Sequence, residues 1–270
     1  MVEKFLEDKG AVITGAASGF GRGIAYAYAE RGAELVLVDI NEELLNETSK
    51  KVEQASGQRV IPIVCDVSNA DQVKAMAKQV ISELDNIFVL NNNAGIGANF
   101  GKDLIKMNEK MWDQMMSINL KGQWLVAKAF GRKMKAQKFE PIAGKMIHTA
   151  SIAGMVVDNM TPVYTLTKVG IIAMVKMLAQ SLAPKVTVNA MSPGYHLTGI
   201  YLNKMELMKQ IMDEGNVKTP LNRLGTVEDV VKLSVFLASP ASDFITGHNF
   251  PVDGGVAEVG CPASYLKTDI

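Results

Sequence analysis

Residues 11–21 read AVITGAASGFG, a short β-branched run that breaks into glycines and then opens a helical pattern. Glycine lets the chain turn sharply and removes the Cβ that would keep a ligand away from the backbone. Where such a turn joins a strand to a helix, the free N–H groups of the first helical turn form an anion site. ELVLVDI (34–40) then reads as a second buried strand, and the alternation continues along the chain. Asn41 is placed to cap a helix through Ser56, because its side chain accepts from the first free N–H groups. Residues 60–67 read as a third strand, and Ser68 or Asn69 opens a helix through Leu84. A fourth strand over 87–90 runs into NNNAG (91–95), and a helical region over 109–136 is interrupted at Gly122. Residues 145–149 form a fifth strand, Pro162 starts a helix to Leu182, and a sixth strand over 186–191 meets a Ser192–Pro193–Gly194 break. The strands are continuous apolar runs, which suits a parallel sheet covered on both faces. The expected fold is α/β, a doubly wound parallel sheet with right-handed crossovers.

Composition narrows the class. The chain has 270 residues, 48% hydrophobic, enough for one large α/β domain. Lys plus Arg equals Asp plus Glu at 28 each, with no basic or acidic block, so neither nucleic acid nor an anionic membrane is the expected partner. Cys65 and Cys261 have no metal or redox spacing, as expected in a reduced cytoplasmic protein, and no metal site is expected. The opening MVEKFLEDKG lacks the apolar core of a signal peptide, and no uninterrupted apolar run reaches membrane-spanning length. A single Rossmann-like domain is expected over 1–255. The tail over 256–270 is expected to pack at a subunit interface.

The glycine turn sits in the strand–turn–helix context that a dinucleotide phosphate needs. Asp39, at the end of the second strand, can accept from both ribose hydroxyls of an adenosine. It would repel a 2′-phosphate by about 3 kcal/mol at ~5 Å and an effective dielectric near 20. Ile40 and Asn41 follow it without a compensating cation, and Ser18 occupies the loop, so NAD is expected rather than NADP. Within MIHTASIAGMVVDNMTPVYTLTK (146–168), Tyr164 and Lys168 stand one helical turn apart. An ammonium beside a phenol favours the phenolate. Of the six tyrosines, only Tyr164 has lysine four residues on.

With TGAASGFG (14–21), NNAG (92–95), Asn119 in SINLKG, Ser151, the Tyr164–Lys168 pair, Pro193–Gly194 and the Asp253–Gly254–Gly255 close, the chain resembles the short-chain dehydrogenase/reductase family over nearly its whole length. The resemblance implies Tyr164 as general acid or base, Lys168 lowering its pKa and binding the nicotinamide ribose, and Ser151 holding the substrate oxygen. It makes Asn119 the holder of a relay water. It implies cofactor contacts from Gly15, Ser18, Gly19, Phe20, Gly21, Asp39, Ile40, Asp66, Val67, Asn93, Ala94, Gly95, Tyr164, Lys168, Pro193, Gly194, His196 and Thr198. Asn93 can equally tie the fourth strand to its neighbour, and Asp66 can equally cap the following helix.

Three positions depart from the family pattern. Asn91 replaces an apolar residue before NNAG, Ala150 replaces a frequent serine, and His196 stands where a β-branched apolar residue usually meets the nicotinamide. The His196 backbone can still bind the carboxamide. Substrate-facing residues are expected to be Ser151, Tyr164, Ile96, Met155, Tyr195, Leu202 and Met205. Leu202, Met205, Met208 and Met212 form an apolar stripe, either a lid or a face packed on the body. Met160 would add lining. An apolar pocket suits a bulky alicyclic alcohol or ketone such as a hydroxysteroid or bile acid. Asn99, Asn159 and His196 leave a polyol open. The expected activity is NAD-dependent secondary-alcohol oxidation and ketone reduction, the alternative being a non-catalytic dinucleotide-binding regulator. The resemblance also implies a homotetramer (or homodimer) assembled through the long helices, with Pro162–Leu182 apolar nearly all round.

Overall fold

A computed structural model of the chain describes residues 2–97, 103–157, 161–196 and 218–260. Among them, seven strands form one parallel sheet: β1 (Gly10–Thr14), β2 (Glu34–Asp39), β3 (Val60–Val64), β4 (Val89–Asn92), β5 (Gly144–Thr149), β6 (Val186–Pro193) and β7 (Asn249–Val252), in the order β3-β2-β1-β4-β5-β6-β7. The helices are α1 (Gly19–Glu30), α2 (Glu42–Ser56), α3 (Ala70–Glu83), α4 (Glu109–Met115), α5 (Gln123–Lys135), α6 (Pro162–Leu182) and α7 (Val227–Ala238).

Successive strand residues point to opposite faces, and each face has its own core. Val12, Val36, Leu90, Met146 and Val188 pack with Val80 of α3, Phe130 of α5 and Ile171 of α6. Ile13, Leu35, Leu37 and Ile147 pack on the other side with Ile24 and Tyr28 of α1, Leu45 of α2 and Val230 of α7. The expected doubly wound sheet is present, and the order reverses between β1 and β4. That switch point opens a crevice at the carboxyl ends of the strands, where α/β sheets bind ligands.

Element ends differ from the sequence reading for local reasons. The helix α1 starts at Gly19, so the glycine turn is itself the first helical turn. β3 stops at Val64, because Asp66 folds the chain into a turn by accepting from Ser68 N and Oγ at 2.9 and 2.7 Å. Asn69, not Asp66, caps α3, accepting from Asp71 N and Gln72 N. β6 continues through the expected break to Pro193, since Ser192 and Pro193 register with Pro251 and Val252 of β7. The interruption in the 109–136 helical region is a π turn over Met116–Gly122, one residue wider per turn than an α-helix.

Asn91 is fully buried; its Nδ2 donates to Ser234 Oγ at 2.9 Å, while its Oδ1 has no partner. The 21 residues of α6 are long and apolar enough to cross a membrane, with mean hydropathy 1.3, yet half of that window is buried within the protein. Leu166, Val169 and Met177 stay exposed on its outer side. Residues 261–270 of the tail lie outside the described residues.

Candidate active site

Register assembles the site. Thr14 pairs with Asn92 and Asn92 with His148, so the ends of β1, β4 and β5 lie side by side. Thr14 Oγ1 accepts from Asn93 N and Ala94 N, both at 3.0 Å. Asn93 Nδ2 donates to Thr14 O and Gly15 O at 3.2 and 3.3 Å, and Thr149 Oγ1 donates to Asn93 Oδ1 at 3.1 Å. The side chain of Asn93 thus ties three strand ends together.

The glycine turn fits a diphosphate. Gly15 adopts φ 67°, and a Cβ there would meet Ala94 Cα at 2.9 Å. A Cβ on Gly21 would meet Gly15 O at 2.1 Å. The Ser18 side chain makes no capping bond, which leaves the start of α1 open to an anion. Asp39 braces this loop: its Oδ2 accepts from Ala17 N and its Oδ1 from Asn41 N, both at 3.0 Å. One lone pair on each oxygen remains for a ligand. Ile40 is exposed beside it, Val67 is buried, and Asp66 uses its Oδ1 for the turn to Ser68.

Pro162 at the first turn of α6 sets the start of the helix that carries Tyr164 and Lys168. Lys168 is buried; its Nζ lies 5.4 Å from the Tyr164 ring centroid and donates to Thr149 O at 2.8 Å. Burial without a paired carboxylate pulls the ammonium from 10.5 to about 7. Ser151, extended at the end of β5, accepts from Ala153 N at 3.2 Å through Oγ, which leaves its hydroxyl proton free to donate. Asn119 sits inside the π turn and clamps Ile96, accepting from Ile96 N at 2.8 Å and donating to Ile96 O at 3.1 Å. Its side chain is therefore engaged with the loop after Gly95, and it reaches the site through that loop.

Two features went unread in the sequence. Gln123 Nε2 donates to Thr149 O at 3.1 Å, sharing that acceptor with Lys168, and its Oε1 accepts from His148 Nδ1 at 2.8 Å. Full burial holds His148 neutral, with a pKa of about 3. Met107, Met111 and Met115 join Thr161, Val163 and Tyr164 around a small pocket of ≈ 10 Å³. Their four-residue spacing was the available signal. Ile96, Met155 and Tyr195 are half-buried; Pro193 ends β6 and Gly194 follows it, with Gly194 N donating to Val252 O at 3.0 Å. Thr198, Leu202, Met205, Met208, Met212, Met160, Asn99 and Asn159 lie outside the described residues.

The Lys168 shift has a stability consequence with a definite sign. Between pH 7 and 10.5 the unfolded chain binds a proton at this position that the folded chain has released, so stability rises with pH across that window. Below pH 7 the full cost of burying the charge is present. The parent should therefore gain on Lys168→Met as pH rises from 7 to 10, with a limiting slope of about 1.4 kcal/mol per pH unit. Urea unfolding of both proteins at pH 7 and 9 measures this; a stability difference independent of pH would contradict it.

The chain is similar over nearly its whole length to known proteins. The family model described as enoyl-(acyl carrier protein) reductase matches residues 15–257. A 3-oxoacyl-(acyl-carrier-protein) reductase of Thermotoga maritima is 33% identical over 252 residues, covering 93% of this chain and 98% of the relative. An NAD-dependent glycerol dehydrogenase of Listeria innocua is also 33% identical over 252 residues, covering 93% and 94%. The crystal structure of a short-chain type dehydrogenase/reductase from Mycobacterium marinum superposes with a TM-score of 0.84 at 30% identity, covering 96% of this chain and 98% of the other. Full-length matches at this identity leave no room for a different architecture, and the chain belongs to the short-chain dehydrogenase/reductase family of oxidoreductases.

Proposed function

We propose that the protein interconverts a secondary alcohol and a ketone with NAD(H), Tyr164 exchanging the proton. The observation that carries this reading is the buried Lys168 ammonium, 5.4 Å from the Tyr164 ring, at the edge of a cavity that Tyr164 lines. A bound nicotinamide dinucleotide supplies the hydride acceptor or donor. Ser151 donates its free hydroxyl proton to the substrate oxygen and fixes it beside Tyr164. Tyr164 Oη gives its proton to that oxygen in reduction and takes it back in oxidation. Lys168 stabilises the phenolate by charge when protonated, the phenolate in turn favours its ammonium form, and Thr149 O accepts from it. Asn119 sets the position of Ile96 on the substrate side.

The apolar side chains of Met107, Met111, Met115 and Val163 beside Tyr164 support an apolar substrate, such as an alicyclic alcohol of the hydroxysteroid or bile-acid class. A polyol is the second reading, supported by the similarity to a glycerol dehydrogenase. Absorbance of reduced nicotinamide during incubation with NAD or NADP and a panel of alicyclic alcohols, bile acids and polyols tests both. Absence of turnover across the panel in both directions would count against the reading and favour a non-catalytic dinucleotide binder. The exposed Leu166, Val169 and Met177 of α6 support assembly into a homo-oligomer through this helix.

Asp39 supports NAD over NADP. Asp39→Asn removes the charge while keeping an acceptor for Ala17 N. It should lower the NAD-to-NADP ratio of kcat/KM by roughly tenfold to a hundredfold. An unchanged ratio would remove Asp39 as the discriminator.

A further inference from the structure

Among the described residues, Asn91, His148 and His196 carry buried polar atoms without hydrogen-bond partners. Asn91 and His148 each satisfy one end of the side chain. His196 satisfies neither: both Nδ1 and Nε2 are unpartnered while the residue is 5% exposed. Leaving two ring nitrogens dry is costly and calls for an explanation.

The surroundings of the ring are built. A short parallel bridge joins His196 to Gly225, and Gly225 N donates to Tyr195 O at 2.9 Å. A Cβ on Gly225 would lie 2.2 Å from His196 Nε2 and 2.4 Å from its Cδ2, so the imidazole occupies a slot that any larger residue would fill. Its other neighbour is Phe20, edge-on with centroids 5.4 Å apart and planes at 84°. Phe20 is the second residue of α1, inside the glycine turn, whose helix start has no side-chain cap. Phe20 thus joins the buried imidazole to the turn whose helix start is uncapped.

We propose that the His196 imidazole is a ligand of the dinucleotide's diphosphate, donating a ring N–H to a phosphate oxygen held at the start of α1. This rests on the dinucleotide-binding reading of the glycine turn. It assigns the side chain of His196 a role beyond that of its backbone. The anion favours the imidazolium, so binding raises the affinity of the ring for a proton. Among the described residues, the charged groups that act on it are Arg223, Asp229 at the start of α7, and Asp253 after β7; α1 presents the uncharged Phe20. In the free protein, burial holds the ring below its ordinary value of 6.5, opposed by the Gly194 backbone, Asp229 and Asp253, with Arg223 lowering it further. Diphosphate affinity should therefore climb as pH falls through the pKa of the liganded state and level off below that of the free state.

The test is calorimetric binding of ADP-ribose, NAD and adenosine to the full chain between pH 5.5 and 8.5, with His196→Ile and His196→Gln. His196→Ile should weaken ADP-ribose and NAD by similar factors, on the order of tenfold, leave adenosine unchanged, and flatten the pH dependence. His196→Gln keeps a donor that does not titrate; it should retain part of the affinity at neutral pH and lose the pH dependence. Should His196→Ile fail to fold, NMR titration of the parent imidazole serves, and its pKa should rise when ADP-ribose is added. An ADP-ribose affinity unaffected by His196→Ile, or a loss confined to NAD, would overturn the proposal, the latter by placing the ring with the nicotinamide. A parent that does not bind ADP-ribose would instead overturn the cofactor reading beneath it.

Discussion

Tyr164→Phe should lower kcat by roughly 10²–10⁴-fold in both directions while leaving cofactor affinity close to that of the parent. The substitution keeps the ring that lines the cavity and that sits 5.4 Å from Lys168 Nζ, and removes only the hydroxyl. Packing is thereby separated from proton transfer. A residue that merely shaped the pocket would chiefly change KM; one that exchanges the proton in the transition state lowers kcat and kcat/KM together. Steady-state kinetics, with nucleotide binding measured independently, distinguishes the two. Turnover at the parental rate would remove Tyr164 as acid and base, and the free hydroxyl of Ser151 would become the next candidate.

Gly21→Ala should abolish tight nucleotide binding, with a loss of affinity on the order of a hundredfold or more, and destabilise the protein by about 1–3 kcal/mol. The added methyl would lie 2.1 Å from Gly15 O and 2.8 Å from Gly15 C, atoms of the turn itself, and 2.9 Å from Asn93 Nδ2. Backbone cannot rotate aside as a side chain can, so the turn must move away from α1 and break the arrangement of N–H groups that meets the anion. Gly23→Ala is the comparison. Its methyl would meet Val227 Cγ1 at 2.6 Å and Val231 Cγ2 at 2.9 Å, both side-chain atoms on α7. It should cost stability with much less effect on binding. Isothermal titration with ADP-ribose and thermal unfolding of the two variants make the comparison; equal affinity losses would show that the turn tolerates the displacement.

Much of this architecture was readable along the chain. Apolar runs such as VIT and LVLV can be buried only between two layers, and Asn41 and Asn69 cap the helices they precede. The four-residue step from Tyr164 to Lys168 needs only the helical period to put both on one face. Boundaries were less legible because they depend on neighbours. Ser192 and Pro193 look like a break, and they extend β6 because β7, more than fifty residues later, supplies the pairing. The side chain of Asn119 bonds the Ile96 backbone, a contact closed by a π turn that leaves no clear mark in SINLKG.

By itself, then, the sequence determined the layered parallel fold, the glycine turn between β1 and α1, the place of the Asp39 carboxylate at the end of β2 and the one-turn spacing of Tyr164 and Lys168. Each rests on interactions spanning a few residues or on a periodicity repeated along one element. Only the tertiary structure decided which groups share a buried polar atom, as Gln123 and Lys168 share Thr149 O. It also decided which methionines face Tyr164 and which glycine makes room for the His196 ring. Those outcomes depend on desolvation and close contact between segments far apart in the chain. Burial lowers the pKa of Lys168 and strips His196 of partners, and the extent of burial at a position is set by the elements packed around it.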